Sequence, residues 1–313
     1  METIFLDDKK YADRQWAATI GMFDGIHLGH QFVLRRLTET ARRRGLGAAV
    51  VTFQMPEDTA TKTCQFLASP DEKLALLEQA GVERCVVLPF NEQLKRMTAH
   101  DFMLRVLREQ LGVCLLLTGY DNRFGHNRTD GFDDYVRYGR EMGIEVEALP
   151  PASQKPVSSS LIRQLLAAGD VCAASEALGR CYALWGRVVC GKHVGTRLGF
   201  PTANIQPDEP RQLVPGAGVY AVTAEVEGEG TLLPAMMNIG TRPTFGLHGV
   251  TLEAHLLRFS GNLYGRRICI RFVQRLRDEQ RFDSPEALRR QLERDAAEAT
   301  RILDLLNEKN EDK

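Results

Sequence analysis

Trp16-Ala-Ala-Thr-Ile20-Gly21-Met-Phe23-Asp24-Gly25-Ile-His27-Leu-Gly29-His30 decides how this chain is read. An apolar run, Trp16 to Ile20, meets two glycines and then an amphipathic stretch, Gln31 to Arg44. That order predicts a strand, a tight turn and a helix. Gly21 and Gly25 let the backbone turn and approach a ligand closely. His27 and His30, three residues apart in the opening helical turn, share one face. A helix N-terminus offers unpaired N–H groups and partial positive charge to an anion. Two imidazoles there add donors aimed at the same point, so the segment predicts a phosphate-chain site. Zinc is the rival reading, but the Glu of H-E-x-x-H is absent and no third ligand lies nearby in sequence.

Outward from that segment the first half alternates strands and helices. Strands are expected at 48–53, 84–88, 114–118 and 144–148, and helices at 71–80, 98–111 and 133–142. The rhythm predicts a Rossmann-like parallel sheet with helices on both faces. Ligands of such sheets gather at the carboxyl ends of the strands, so Gly21, Phe53 and Gly119 should face one crevice. Near residue 182 the character changes. Short runs rich in Val and Ile, at 183–189, 219–225, 235–239, 252–257 and 268–273, are separated by Gly and Pro. They predict an antiparallel β-barrel or sandwich. A last helix should start at Ser284-Pro285, with Ser as N-cap and Pro at the first helical position. Leu288, Leu292, Ala296, Ala299, Leu303 and Leu306 form its apolar stripe.

Composition narrows the partners. A length of 313 residues suggests two domains. A formal charge of −1 gives no field for a polyanion, so nucleic acid is not expected. The seven cysteines are an odd, scattered set without CxxC, which fits a reducing cytoplasm better than a disulfide framework. The acidic N-terminus lacks a signal-peptide plan. No apolar run approaches the roughly 20 residues that span a membrane.

Three further segments carry candidate chemistry. Gly119-Tyr-Asp121-Asn122-Arg123-Phe-Gly125 follows a strand and is bracketed by glycines, as a ligand-touching loop would be. Ser158-Ser159-Ser160-Leu-Ile-Arg163 opens a helix. Its hydroxyls could simply cap it, while Arg163 on the first turn could reach an anion. In the second half, Gly186-x-x-x-x-Gly191-Lys192 nearly spells a P-loop, but His193 replaces Ser/Thr, and Gly195, Gly199 and Pro201 forbid the helix that must follow. Gly191, Gly195 and Gly199 instead read as a loop whose N–H groups wrap phosphates. In Phe200-Pro201-Thr202-Ala-Asn204, an extended Thr202 and Asn204 point to one side and offer neutral oxygens suited to Mg²⁺. Glu253 stands in an otherwise apolar strand, Thr251-Leu-Glu253-Ala-His255-Leu. It is either a solvent-facing carboxylate or a proton acceptor.

Together these motifs resemble the bacterial bifunctional riboflavin kinase/FMN adenylyltransferase family, also called FAD synthetase, over nearly the whole chain. The resemblance implies an adenylyltransferase domain at 1–178, with a Rossmann-like nucleotidyltransferase sheet, and a riboflavin kinase domain at 179–313, with a flavokinase-type antiparallel β-barrel and a terminal helix. It implies that Gly21, Phe23, Asp24, His27, Gly29, His30, Gly119, Asp121, Asn122, Ser159, Ser160 and Arg163 bind ATP for adenylyl transfer to FMN, with His27, His30 and Arg163 catalytic. It further implies that Gly191, Gly195, Gly199, Pro201, Thr202 and Asn204 bind the kinase's ATP. Thr202 and Asn204 would hold Mg²⁺, Glu253 would be general base for the riboflavin 5′-hydroxyl, and Asn238, Gly240 and Arg277 would meet flavin. FMN's phosphate is already anionic, so the first site needs positioning and charge neutralisation rather than a base. Two departures stand out. Asn122 replaces a common Phe, and Phe53-Gln54-Met55-Pro56-Glu57 replaces Phe-x-Pro-His-Pro, so the histidine is missing and a carboxylate stands beside its place. The alternatives are a riboflavin kinase with a weak or inactive adenylyltransferase, and a flavin- or nucleotide-sensing protein, against which an intact Glu253 argues.

Overall fold

The computed structural model describes residues 1–54, 65–119, 122–150, 157–191, 199–241 and 249–311. The chain divides into two compact units, Met1–Cys64 with Pro70–Ser158, and Gln65–Ser69 with Ser159–Lys313.

In the first unit, β1 (Glu2–Phe5), β2 (Trp16–Ile20), β3 (Gly47–Gln54), β4 (Arg84–Pro89), β5 (Val113–Gly119) and β6 (Glu145–Leu149) form one sheet in the order β1-β4-β3-β2-β5-β6. Every pairing is parallel. Parallel neighbours need crossovers. These are supplied by α1 (Leu28–Arg44), α2 (Pro70–Gln79), short α3 (Glu92–Arg96), α4 (Ala99–Asp101) with the π-helical run Phe102–Gln110, and α5 (Phe132–Met142). Alternate strand residues go to opposite faces. Ala18, Ile20, Val51, Val86 and Leu116 pack with Phe102, Val106 and Tyr135 on one side. Ala17, Val50, Cys85, Val87 and Leu115 pack with Leu34, Leu37 and Leu77 on the other. Burial on both faces is why these strands read as continuous apolar runs. β1 escaped the sequence reading because three of its four residues are exposed at the sheet edge.

The amino edge of this sheet is closed by charge. Arg84, only 4% exposed, donates to Asp13 at 2.8 and 3.0 Å and to Glu2 at 2.7 Å, with its guanidinium 4.0 Å from the Trp16 ring. Arg84's hydrogen bonds hold the Asp13 carboxyl down to about 2. The strand order reverses direction between β2 and β5, the point at which doubly wound sheets leave a crevice.

The second unit is a closed barrel, β10-β11-β8-β7-β12-β9, built from β7 (Tyr182–Val189), β8 (Ala203–Pro207), β9 (Gly218–Val226), β10 (Leu232–Thr241), β11 (Val250–Leu256) and β12 (Arg267–Arg277). The apolar runs alone fit a barrel or a sandwich, and the barrel that the resemblance implies is the one that forms. Pairing of β9 with both β10 and β12 closes the ring. The terminal helix, α8 (Pro285–Glu311), starts as expected, with Ser284 Oγ accepting from the Ala287 N–H at 3.1 Å. Ala299, Ile302 and Leu303 of α8 cover Ala221 and Met236 on the barrel wall. Two further helices, α6 (Ser159–Ala167) and α7 (Val171–Leu178), belong to this unit and bury Ile162, Leu166, Val171, Ala174 and Leu178. The Gln65–Ser69 segment joins it through Phe66 N–H to Arg211 O (2.9 Å) and Leu213 N–H to Phe66 O (2.8 Å).

Candidate active sites

The first site grows from the turn between β2 and α1. His27 is the N-cap of α1, and its Nδ1 accepts the His30 N–H at 3.3 Å. That bond leaves the proton of a neutral His27 ring on Nε2, which is therefore a donor. The two imidazoles stack with centroids 3.8 Å apart and planes 17° from parallel. Burial, and after it the His27 ring, pushes His30 down to about 3, so it is neutral at physiological pH. His30 Nδ1 is buried and meets no hydrogen-bond partner among the described residues. Gly29 makes the stack possible, because a Cβ there would lie 3.1 Å from the His27 ring. The turn is strained: Phe23 has φ 49° and the β-branched Ile26 has φ 36°. Gln31 Nε2 braces it by donating to Ile26 O at 2.9 Å.

Beside this turn is a cavity of about 530 Å³. Its apolar wall includes Met22, Phe53, Phe90, Met97, Phe102 and Phe124. Lys95, Arg123 and Arg128 also line it, and no carboxylate does so among the described residues. Lys95 is paired with Glu92 at 2.7 Å, whereas Arg128 donates to Arg123 O and Arg123 to Thr129 O. Fully buried Tyr135 fixes the wall, accepting from the Phe124 N–H at 2.9 Å and stacking on the Phe124 ring at 4.2 Å. Asn122 Nδ2 donates to Ile20 O at 3.0 Å, tying the loop after β5 to the end of β2. Gly21, Phe53 and Asn122 thus meet in one crevice, with Gly119 at the end of β5. The sequence reading missed Phe90, Met97, Phe102 and Lys95, while Arg123 belongs to the loop it had singled out. Phe90 follows β4 directly, so the rule that ligands gather at strand ends was the available signal.

Ser159, Ser160 and Arg163 lie on the opening turns of α6, in the second unit. There Arg163 Nε donates to Gln65 O at 2.8 Å. Asp121, Gly195, Met55, Pro56 and Glu57 lie outside the described residues.

The second site lies on the barrel wall. Asn238, Glu253 and Asn204 are direct cross-strand partners on β10, β11 and β8, so their side chains project from one face about 5 Å apart. Gly191 packs flat against Asn204, and a Cβ at 191 would fall 1.9 Å from Asn204 Nδ2. His255, two residues after Glu253, has Nδ1 2.7 Å from Pro201 O. A carbonyl only accepts, so Nδ1 carries the proton and anchors the residue before Thr202. This positioning role for His255 was not read from the sequence. Thr202 and Asn204 offer hydroxyl and carboxamide oxygens, hard neutral donors that fit Mg²⁺. Gly240 lies close to Glu279, whose Oε1 would be 3.0 Å from a Cβ at 240. Arg277 is held by Asp295 of α8 through three contacts of 2.8–3.0 Å, and Gln291 adds a bond to the same carboxylate at 2.9 Å.

Comparison with known proteins finds two family matches along the chain. A model of FAD synthetase matches residues 9–161 and a model of riboflavin kinase matches 178–303. A bifunctional riboflavin kinase/FMN adenylyltransferase of Pseudomonas fluorescens is 40% identical, covering 91% of this chain and 92% of its own. That of Escherichia coli K12 is 39% identical, with 92% of each chain covered. A crystal structure of a macrolide-efflux protein from Streptococcus pneumoniae superposes with a TM-score of 0.87 at 29% identity, covering 96% of this chain and 99% of that one. Among the described residues no helix is long and apolar enough to cross a membrane. With relatives this similar along nearly its whole length, and both family models matched in order, the chain belongs to the bifunctional riboflavin kinase/FMN adenylyltransferase family.

Proposed function

We propose that this chain makes FAD in two ATP-dependent steps, phosphorylating riboflavin to FMN and then transferring AMP from ATP to FMN with release of pyrophosphate. The kinase step belongs to residues 179–313 and the adenylyl transfer to 1–178. The observation that carries the reading is the pairing, in one unit, of donors at the α1 N-terminus with an aromatic cavity whose charged lining is cationic. A planar flavin bearing a phosphate fits that combination of wall and rim.

In adenylyl transfer, an FMN phosphate oxygen forms a bond to the α-phosphorus as the bond to pyrophosphate breaks. Preorganised donors aimed at the developing charge lower the barrier. His27 Nε2–H, the N–H groups at the N-terminus of α1 and His30 are the donors assigned here. Neutral imidazoles supply this without the mutual repulsion that two stacked imidazolium rings would suffer. In the kinase step, Glu253 takes the proton of the riboflavin 5′-hydroxyl as its oxygen bonds to the γ-phosphorus. Thr202 and Asn204 would hold Mg²⁺, which neutralises nucleotide phosphate charge when bound. The backbone of Gly191 and Gly199 would wrap those phosphates, and Asn238 and Gly240 would meet the flavin. Arg277 contributes indirectly, by holding α8 against the barrel through Asp295. A cytoplasmic location suits the scattered cysteines and the need for ATP.

Riboflavin with ATP and Mg²⁺, followed by chromatography, tests the proposal. FMN appearing and then converting to FAD is expected. FMN alone would leave only the kinase, and neither product would leave a binding protein.

A further inference from the structure

Lys73 is a cation that the reaction described above does not use. It sits on α2, whose Leu74, Leu76 and Leu77 pack against the sheet. Its side chain turns inward beneath the β2–α1 turn. Nζ donates to Thr52 Oγ1 at 3.2 Å, and that hydroxyl, fully buried, donates to Met22 O at 3.1 Å. Burial lowers the Lys73 pKa, while the Cys85 thiol and the Asp24 carboxylate, on β4 and in the turn, raise it. Lys73 is half-buried, so its ammonium is drawn partly out of water toward these groups.

The place of this chain of contacts gives it a purpose. Met22 lies between Gly21 and the positive-φ Phe23, in the turn that presents His27 and His30. A strained turn keeps its shape only where its surroundings over-determine it. Asp24, in the same turn, would by itself set a negative charge beside a site for phosphates. Thr52 is followed by Phe53, which lines the cavity. We infer that Lys73 is a positioning residue for adenylyl transfer, which holds the Met22–Asp24 turn through Thr52 and offsets the Asp24 carboxylate so that the turn accepts ATP. The inference rests on the assignment of adenylyl transfer to this unit.

The test uses the full chain with Lys73→Met, Lys73→Ala and wild type. FAD formation from FMN and ATP is followed beside riboflavin phosphorylation and thermal unfolding. Met is similar in length and uncharged, so it keeps the packing of the half-buried stem while removing the cation, and thermal unfolding reads any cost of losing that charge beside Asp24. Lys73→Met should lower kcat/KM for ATP in FAD formation by roughly 10–100-fold, the scale of a hydrogen bond to a charged group. Riboflavin phosphorylation should not change, because it does not depend on this turn. Ethylammonium added to Lys73→Ala should restore part of the lost rate, which a purely structural lysine would not allow. FAD formation at the wild-type rate in Lys73→Met overturns the inference. So does a loss in both variants with no recovery under ethylammonium. Wild type that makes no FAD from FMN would instead remove the functional reading on which the inference stands.

Discussion

Replacing Glu253 by Gln isolates one proton transfer. Glu253 stands between Asn204 and Asn238 in a cross-strand row and is half-buried, so a carboxamide of the same shape leaves the packing of β11 intact. What is lost is the acceptor for the riboflavin hydroxyl proton. General-base catalysis contributes roughly 10²–10⁴-fold. At about 1.4 kcal/mol per factor of ten, the barrier rises by about 3–5 kcal/mol. The loss should fall on kcat for riboflavin phosphorylation, because ground-state contacts to riboflavin and ATP survive. Adenylylation of supplied FMN in the same preparation should continue, since its donors come from other elements. The assay is initial-rate chromatography of FMN from riboflavin and of FAD from FMN, with thermal unfolding as a check on the fold. Riboflavin turnover within about threefold of wild type, well below the lower bound for a general base, would refute the assignment. An equal fall in both activities would refute the separation of the sites.

Other outcomes can be checked alongside it. His30 titrates near 6.5 when unfolded but near 3 in the fold, so between these values the unfolded chain binds the extra proton. Stability should therefore fall as pH is lowered from about 6.5 toward about 3, and His30→Asn should flatten that slope in thermal melts. Asp295→Ala leaves the mostly buried Arg277 guanidinium without its partner and should cost about 3–5 kcal/mol by calorimetry; a loss under about 1 kcal/mol would mean that solvent already answers the charge. A fragment of residues 179–313 loses α6 and α7 with their five buried apolar side chains, so it should melt well below one of residues 159–313. Equal melting temperatures would show that these helices add nothing to the barrel. Pro56→His with Glu57→Pro should speed FAD formation and spare FMN formation, and an unchanged ratio of the two rates would show that the 53–57 departure is silent.

Periodicity made most of the architecture readable. β2 to β5 are apolar on both faces, so their runs are continuous and unmistakable, and the glycine-rich turn after β2 has the composition of a phosphate site. β1 was invisible because an edge strand buries one residue in four. The π-helical geometry of Phe102–Gln110 was also invisible, since the apolar spacing satisfies an α-helix as well. The crevice at Gly21 and Phe53 was expected from the strand ends, but its aromatic wall was not. Phe90, Phe102 and Phe124 each look like ordinary core residues until β4 and the β5 loop are set beside β3.

By itself the sequence determined the order of strands and helices, the switch from parallel sheet to short β-branched strands, and the residue types for phosphate, metal and proton chemistry. All of these are local: turns need glycine, caps need hydroxyls, and buried faces need apolar side chains at fixed spacing. Tertiary structure decided the rest. It stacked His27 on His30 and buried His30 Nδ1, aligned Glu253 between Asn204 and Asn238, gave Arg277 to Asp295, and brought Lys73 through Thr52 to the turn at Met22. These are contacts between residues far apart in the chain, and their partners are chosen by strand register and helix packing, which no spacing along the sequence encodes.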